Sequence, residues 1–377
     1  VTYGLLDAHY ATRDTPTSRK LMAVPYVGKD VPSRSSEFAH PDVLIGLTVL
    51  AYRYEGLRTA DMLACADAVA RHASGLFSLE LWGGATFDVS YRFLQECPWQ
   101  RLRDLRQRMP NLMTQMLLRG ANGVGYTNYP DNVVQFFVAQ AATSGVDVFR
   151  VFDSLNWVEN MRVAMDAVVE SGKICEGTIC YTGDMLDPAR AKYDLKYYVG
   201  MAKELEAAGA HVLGLKDMAG LLKPAAATAL ITALKSETDL PIHFHTHDTS
   251  GAAIATVLAA SAAGVNVIDA AMDAFSGNTS QPTLGSIVES LKGSDRDTGL
   301  DVRAIREISN YFDQVREDHV TANLARAGDW PFDVFQLDDG YQAAIGDWLV
   351  TNEKFPSGVD GVAAAIAGAG FVPGIWL

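Results

Sequence analysis

Positive charge is scarce in this sequence, which has 31 Lys and Arg residues against 45 Asp and Glu residues. The formal net charge is therefore −14 at pH 7, and the pI is near 5.0. A negative long-range field repels phosphate backbones and anionic membranes. We expect neither nucleic acid nor membrane as a partner, and any anionic substrate has to be bound by local positive charge.

Long apolar runs and paired cysteines are also missing. No run approaches the roughly 20 residues that a membrane span needs, and the N-terminus lacks the features of a secretory signal. We expect a cytoplasmic location, or the mitochondrial matrix after removal of a transit peptide. The cysteines show no CxxC or zinc-finger spacing and are predicted to be reduced core thiols: Cys65, Cys97, Cys175 and Cys180.

From about Leu76 onward, short apolar runs rich in β-branched residues alternate with amphipathic stretches of helical period. This alternation is typical of parallel βα units. The strand candidates number seven and cover residues 76–82, 113–119, 147–152, 174–181, 211–216, 241–246 and 265–270.

Seven such strands favour a (β/α)₈ TIM barrel with one strand unaccounted for, although a doubly wound sheet shows the same alternation. The barrel is preferred because polar side chains at the carboxyl ends of strands would converge on one mouth: Arg119, Arg150, Asp153, Lys216, Asp217, His245, His247 and Asp248. We predict a barrel over residues 58–318, with additional segments at 1–57 and 319–377.

His245 and His247 stand two residues apart at a strand end, so both imidazoles project to the same side and can reach one divalent cation. Lys216 ends another buried strand and precedes Asp217. Because an unpaired buried ammonium is costly, three roles are open for Lys216. It can pair with Asp217, act as a Schiff-base nucleophile, or be a carbamylated metal ligand.

Arg119 and Arg150 could each clamp a substrate carboxylate or stabilise an enolate oxygen. The alternative for either is an ion pair with Asp153 or Glu80. In a chain this acidic, two arginines at one mouth favour anionic substrate binding.

The central two thirds of the chain, residues 57–317, resembles the carboxyltransferase domain of the pyruvate carboxylases. The resemblance is carried by long blocks in the family's order: LFSLELWGGATFDVSYRFLQECPWQRLRDLR, QMLLRGANGVGYTNYPDNVV, DVFRVFDSLNWVENM, GLKDMAGLLKP, HFHTHDTSG and SGNTSQPTLGSIVESLKGSDRDTGLD.

This resemblance implies a divalent metal such as Mn or Zn, held by His245, His247 and a carbamylated Lys216. It implies that Arg150 holds pyruvate as its enolate forms. Carboxybiotin on a biotinylated carrier, supplied by another domain or chain, would then give oxaloacetate. Barrels of this kind usually form homodimers, an interface that foreign ends would block.

Two family motifs are not matched. The first-strand motif TTxRDAHQ, which supplies an Asp ligand, should place that residue near Leu47, where no acidic residue stands. The later GGQ segment, with the threonine thought to shuttle a proton, is also unmatched. We therefore expect an impaired carboxyltransferase.

The ends resemble other families. Residues 1–57 resemble a block of very large eukaryotic proteins of poorly assigned function, and residues 319–377 resemble part of the family 36 α-galactosidases. We interpret the chain as a fusion of three fragments, and two other functions stay open: a glycoside-binding or hydrolase fragment, or an inert module.

Asp338 and Asp339 follow the apolar run of residues 331–337 and precede Gly340, so they form either a turn or a sugar-binding pair. A third hypothesis makes residues 331–337 the missing barrel strand, with these carboxyl groups as substitute metal ligands.

Overall fold

The computed structural model describes residues 46–49, 57–189, 191–327, 334–337, 358–368 and 372–375. The chain divides into two compact units, residues 1–310 and residues 311–377. The predicted domain boundaries at 57 and 318 stay predictions.

Eight parallel strands close into a barrel in the first unit, each strand hydrogen-bonded to its sequence neighbour and the first to the eighth. Seven of them coincide with the predicted strands within one or two residues at each end, so the predicted TIM barrel is confirmed. The strands are β1 Gly46–Val49, β2 Ser78–Trp82, β3 Thr114–Leu118, β4 Val148–Phe152, β5 Ile174–Cys180, β6 Val212–Asp217, β7 Ile242–Thr246 and β8 Val267–Ala270.

The segments between the strands form helices, since their apolar residues recur at three- and four-residue spacing. This spacing gives a helix an apolar face that can cover the outside of the sheet. They are α1 Thr59–His72, α2 Gly84–Arg92, α3 Pro98–Arg108, α4 Asp131–Ser144, α5 Val158–Glu170, α6 Leu195–Ala207, α7 Pro224–Glu237, α8 Ala253–Ala262, α9 Leu284–Leu291 and α10 Val302–Ala327.

Strand β1 closes the barrel, and it comes from the segment predicted to be foreign. Its residues pair in parallel with Val267–Ala270 of β8, and Thr48 and Val49 pair with Ser78 and Leu79 of β2. The hypothesis that residues 331–337 fill this gap is therefore wrong, because β1 already occupies both hydrogen-bonding edges.

The second unit contains a separate βαβ arrangement. Strands β9, Val334–Leu337, and β10, Val372–Ile375, pair in parallel, and helix α11, Gly358–Gly368, lies between them in sequence. Asp338 and Asp339 lie outside the described residues, so their predicted roles in sugar or metal binding stay predictions.

The barrel interior is layered along the strands, as is typical of this fold. At the amino ends of the strands an apolar floor is formed by Phe77, Met113, Val148, Ile174, Val212 and Val267. Above it lies a buried polar set, which we call the interior charge cluster: Glu80, Gln115, Arg150, Glu176, His243 and Asp269. A second apolar group, Leu117, Phe152 and Cys180, lies near the carboxyl ends of β3, β4 and β5.

Gly214 of β6 makes room for this cluster. A Cβ at this position would approach the Glu176 Oε1 atom to 2.8 Å and would overlap the Thr178 hydroxyl. Glycine is therefore required where the Glu176 side chain crosses the interior.

Candidate functional site

Lys216 and His245 end neighbouring strands and are partners in register, so their side chains meet in the interior. The Lys216 Nζ atom lies 3.1 Å from His245 Nε2. Both side chains are buried, with 5% and 1% of their surface exposed. The register of β6 and β7 thus places the side chains of these two predicted ligands next to each other.

The other ring nitrogen of His245 determines how the ring can bind a metal. His245 Nδ1 lies 2.5 Å from Asp269 Oδ2 on β8. Burial and the nearby Lys216 ammonium lower the pKa of His245 well below its usual value, so the ring is neutral. A neutral imidazole with one nitrogen held by a carboxylate is the form that ligates metals.

His247 lies just beyond β7 and is only partly buried. Its Nδ1 atom donates to the Thr279 carbonyl oxygen at 2.5 Å, and its Nε2 atom lies 3.3 Å from the Gln281 amide nitrogen. The ring centroids of His245 and His247 are 5.0 Å apart. Because Nδ1 of His247 carries the hydrogen, the lone pair of this ring is on Nε2.

His245 and His247 offer two neighbouring imidazole rings to a divalent cation, with Lys216 beside His245. Among the residues that the structure describes, no group of three or more His, Cys, Asp or Glu side chains is placed to hold a metal ion. The fit therefore depends on Lys216 as third ligand beside His245 and His247, and carbamylation would give it an oxygen donor. The sequence of β1, Gly46–Val49, offers no acidic residue.

Arg150 does not lie at the mouth, contrary to its prediction as a substrate-binding residue. Only 1% of its side chain is exposed, and its guanidinium lies in the interior charge cluster. It donates to Glu176 at 2.5 Å, to Glu80 at 3.0 Å and to Asp269 at 2.5 Å. A substrate carboxylate could reach it only by displacing one of these partners, so the predicted contact with pyruvate does not fit this geometry.

The cluster is held by charge. Burial alone would raise the pKa of Asp269 and Glu176, but Arg150 and His243 lower both below their usual values. Burial lowers the pKa of His243, but the charges of Glu176 and Asp269 raise it by more, so the pKa lies above its usual value. Both ring nitrogens of His243 face carboxylates, at 2.8 Å and 2.6 Å, and a protonated ring can donate to both.

Arg119 is the arginine that reaches the mouth. It follows β3, is partly exposed, and donates to the Gly125 carbonyl oxygen at 3.1 Å. Its guanidinium lies over the Tyr126 ring, 4.9 Å from the centroid. A guanidinium fixed by one carbonyl and one ring still presents further N–H donors to an anion.

The remaining acidic candidates stabilise loops. Asp153 accepts from the Leu155 amide at 2.8 Å and from Asn160 at 2.9 Å. Asp217 accepts from the amides of Leu221 and Leu222, both at 2.9 Å. Asp248 accepts from the Ala253 amide at 3.0 Å.

Three residues around the two histidines were not found from the sequence: Asp269, Thr279 and Gln281. Asp269 interrupts the apolar run of β8, and a carboxylate inside a predicted buried strand is the signal that could have identified it. The other two act from a loop whose course the sequence does not fix.

Two families match the chain. The family described as HMGL-like matches residues 141–312. A family described only as a protein of unknown function (DUF3645) matches residues 16–48, as the resemblance of residues 1–57 predicted. The described part of the chain contains no helix long and apolar enough to span a membrane.

The chain is also similar to named proteins. It is 56% identical over 261 residues to the pyruvate carboxylase of Bacillus subtilis, covering 69% of this chain and 23% of that protein. It is 51% identical over 283 residues to the human mitochondrial pyruvate carboxylase, covering 74% of this chain and 24% of that protein. It therefore spans about a quarter of the length of these relatives.

Solved structures agree with these matches. The carboxyltransferase domain of Rhizobium etli pyruvate carboxylase with pyruvate superposes with a TM-score of 0.73 at 58% identity, covering 78% of this chain and 53% of that one. The same domain with pyruvate and biocytin superposes equally well, with 52% of that chain covered. The chain therefore carries a segment of the carboxyltransferase domain of the pyruvate carboxylase family.

Proposed function

We propose that this barrel binds a divalent cation at its mouth and acts, with reduced efficiency, on pyruvate or oxaloacetate. The observation that carries the proposal is the meeting of Lys216 and His245 at 3.1 Å beside His247. Solved relatives bind pyruvate and biocytin, which supports a 2-oxo acid and a biotin-carried carboxyl group as reactants.

His245, His247 and Lys216 would hold the cation, Mn or Zn by the nature of these donors. A bound cation supplies Lewis acidity toward the carbonyl oxygen of a 2-oxo acid. Carbamylation would form a bond from the neutral Nζ amine of Lys216 to the carbon of CO₂ and release one proton. Lys216 is buried, with His245 Nε2 3.1 Å from its Nζ atom.

Arg119 would bind the substrate carboxylate, because its guanidinium reaches the mouth and is held there by Gly125 and Tyr126. Leu117, Phe152 and Cys180 form an apolar cluster on the adjoining strands, and Lys216 Nζ lies 5.9 Å from the Phe152 ring centroid. An apolar wall beside the lysine excludes water and strengthens the electrostatic contacts made there. Biotin would bring the carboxyl group to this mouth on a carrier from another domain or chain.

The site differs from the family pattern at β1, where the chain has Gly46–Val49 and no acidic ligand. We therefore propose that full biotin-dependent carboxylation by this chain alone is weak or absent, and that metal-assisted decarboxylation of oxaloacetate is the activity to measure.

The test is metal content per chain of the full-length protein after dialysis against metal-free buffer, with Mn and Zn offered separately. We expect about one ion per chain, and loss of that ion in His245→Ala and His247→Ala. Arg119→Met should keep the metal and lose oxaloacetate decarboxylation. A metal content near zero in the unmodified chain would contradict the proposal.

A further inference from the structure

We infer that Asp269 is a positioning residue for the candidate metal centre, because it fixes the tautomer of His245, and that Arg150 holds Asp269 in place. This inference rests on the proposed metal centre for its functional meaning. Its structural content, which nitrogen of His245 carries the hydrogen, can be measured without any metal.

The geometry around His245 Nδ1 selects one tautomer. Asp269 Oδ2 lies 2.5 Å from this nitrogen, and an ionised carboxylate can only accept a hydrogen bond. Nδ1 therefore carries the hydrogen, and the lone pair is left on Nε2. That atom is the one that faces Lys216 Nζ, at 3.1 Å.

Arg150 lies on the same side of the ring and could favour the opposite tautomer. Its Nη1 atom is 3.2 Å from His245 Nδ1. However, the two hydrogens of Nη1 are already directed to Asp269 Oδ2 at 2.5 Å and Glu80 Oε2 at 3.0 Å. As long as both carboxyl groups are present, Arg150 has no hydrogen on Nη1 to donate to the histidine.

Asp269 is itself held by three partners. Its Oδ1 atom lies 2.6 Å from His243 Nε2 and 3.3 Å from Arg150 Nη2, while Oδ2 contacts Arg150 Nη1 and His245. The planar guanidinium meets both carboxylate oxygens, which fixes the direction of the Asp269 side chain as well as its charge. This arrangement gives Arg150 a function that its buried position allows.

Glu176 provides a matched control. It is as deeply buried as Asp269, contacts Arg150 Nε at 2.5 Å and contacts His243 Nδ1 at 2.8 Å. None of its contacts in the described structure includes His245. Removing either carboxyl group deletes one negative charge that contacts both Arg150 and His243. Only the loss of Asp269 frees an Nη1 hydrogen of Arg150 beside His245.

The first experiment assigns the ring nitrogens of His245 by long-range ¹H–¹⁵N NMR in the metal-free full chain. We expect the Nδ1–H tautomer in the unmodified protein and in Glu176→Ala. We expect a mixture of the two tautomers in Asp269→Ala, because Arg150 can then donate to Nδ1 while Lys216 still donates to Nε2. An Nε2–H ring in the unmodified protein would overturn the inference without any variant.

The second experiment compares Mn and Zn affinity in the same three proteins by competition with a chelator. Removing a group that orients a histidine ligand typically lowers metal affinity about 10- to 100-fold, and we expect a loss of this size in Asp269→Ala only. Equal losses in both variants would show that the cluster acts through general stability and would overturn the inference. If the unmodified chain binds no metal, the proposed function fails, whereas the tautomer measurement still decides the role of Asp269.

Discussion

Strand β1 and strands β2–β8 belong to the same barrel, but they contribute to it in different ways. Strand β1 is joined to β8 and β2 by backbone pairing, and a different family matches residues 16–48, which include all but the last residue of β1. Each of the other seven strands places a polar side chain in the interior: Glu80, Gln115, Arg150, Glu176, Lys216, His245 and Asp269. Closing a barrel requires backbone groups that any strand supplies, whereas a reactive centre requires particular side chains.

The largest effect is expected for Leu47→Pro, which tests whether the backbone pairing of β1 stabilises the closed barrel. Proline removes an N–H group from a strand that is paired on both sides, and its ring is not accommodated in a central strand. We expect the free energy of unfolding to fall by about 3 kcal/mol or more, measured by urea denaturation followed by circular dichroism.

Leu47→Ala is the control, because it keeps the backbone N–H group. If the proline and alanine variants lose equal stability, the pairing of β1 does not hold the barrel closed, and the contrast drawn between β1 and the other strands is wrong.

The contrast is sharpened by removing charge from the interior of β2–β8. Arg150→Met leaves Glu80, Glu176 and Asp269 buried without their shared cation, and breaking a buried ion pair costs about 3–5 kcal/mol. Arg119→Met removes an arginine at the partly exposed mouth, where we expect a loss of less than about 1 kcal/mol.

Both values come from equilibrium denaturation of the two variants beside the unmodified chain. Equal stability of the two variants would mean that the interior charge cluster contributes no more than a surface arginine.

The pH dependence of the free energy of unfolding also distinguishes β1 from strands β2–β8, with a smaller expected effect. The pKa of Glu176 in the folded protein is lowered, so its contribution to stability is present above its unfolded value near 4.5 and is lost as pH falls through its folded value. We expect the free energy of unfolding of the unmodified chain to fall as the pH drops below about 4.5, and Glu176→Gln to show a shallower fall.

Leu47→Pro should keep the pH slope of the unmodified chain, because backbone pairing does not titrate in this range. A slope unchanged by Glu176→Gln would show that the pKa of Glu176 does not differ between the folded and unfolded protein, contrary to this prediction.

The seven strands β2–β8 could be predicted because each is a short β-branched run followed by a helical pattern. Strand β1 could not be identified, since the run containing Gly46–Val49 and the run containing Val334–Leu337 both read as strands. Which of them enters the barrel is decided by the edges they meet, and sequence periodicity carries no information about those edges.

The candidate site was likewise predicted only in part from the sequence. The spacing of His245 and His247 identified both residues, because two residues along a strand return a side chain to the same face. The position of Arg150 was misjudged because its partners come from β2, β5 and β8, between 26 and 119 residues away in the chain. Local sequence does not show that an arginine at a strand end will meet three carboxyl groups from distant strands.

The interior charge cluster also constrains how this barrel can change over generations. Its charged members contact one another across β2, β4, β5, β7 and β8, and replacing Arg150 leaves three buried carboxyl groups without their shared cation. Substitutions in these strands are therefore coupled through the cluster, whereas the pairing of β1 is made by backbone groups that most substitutions leave in place.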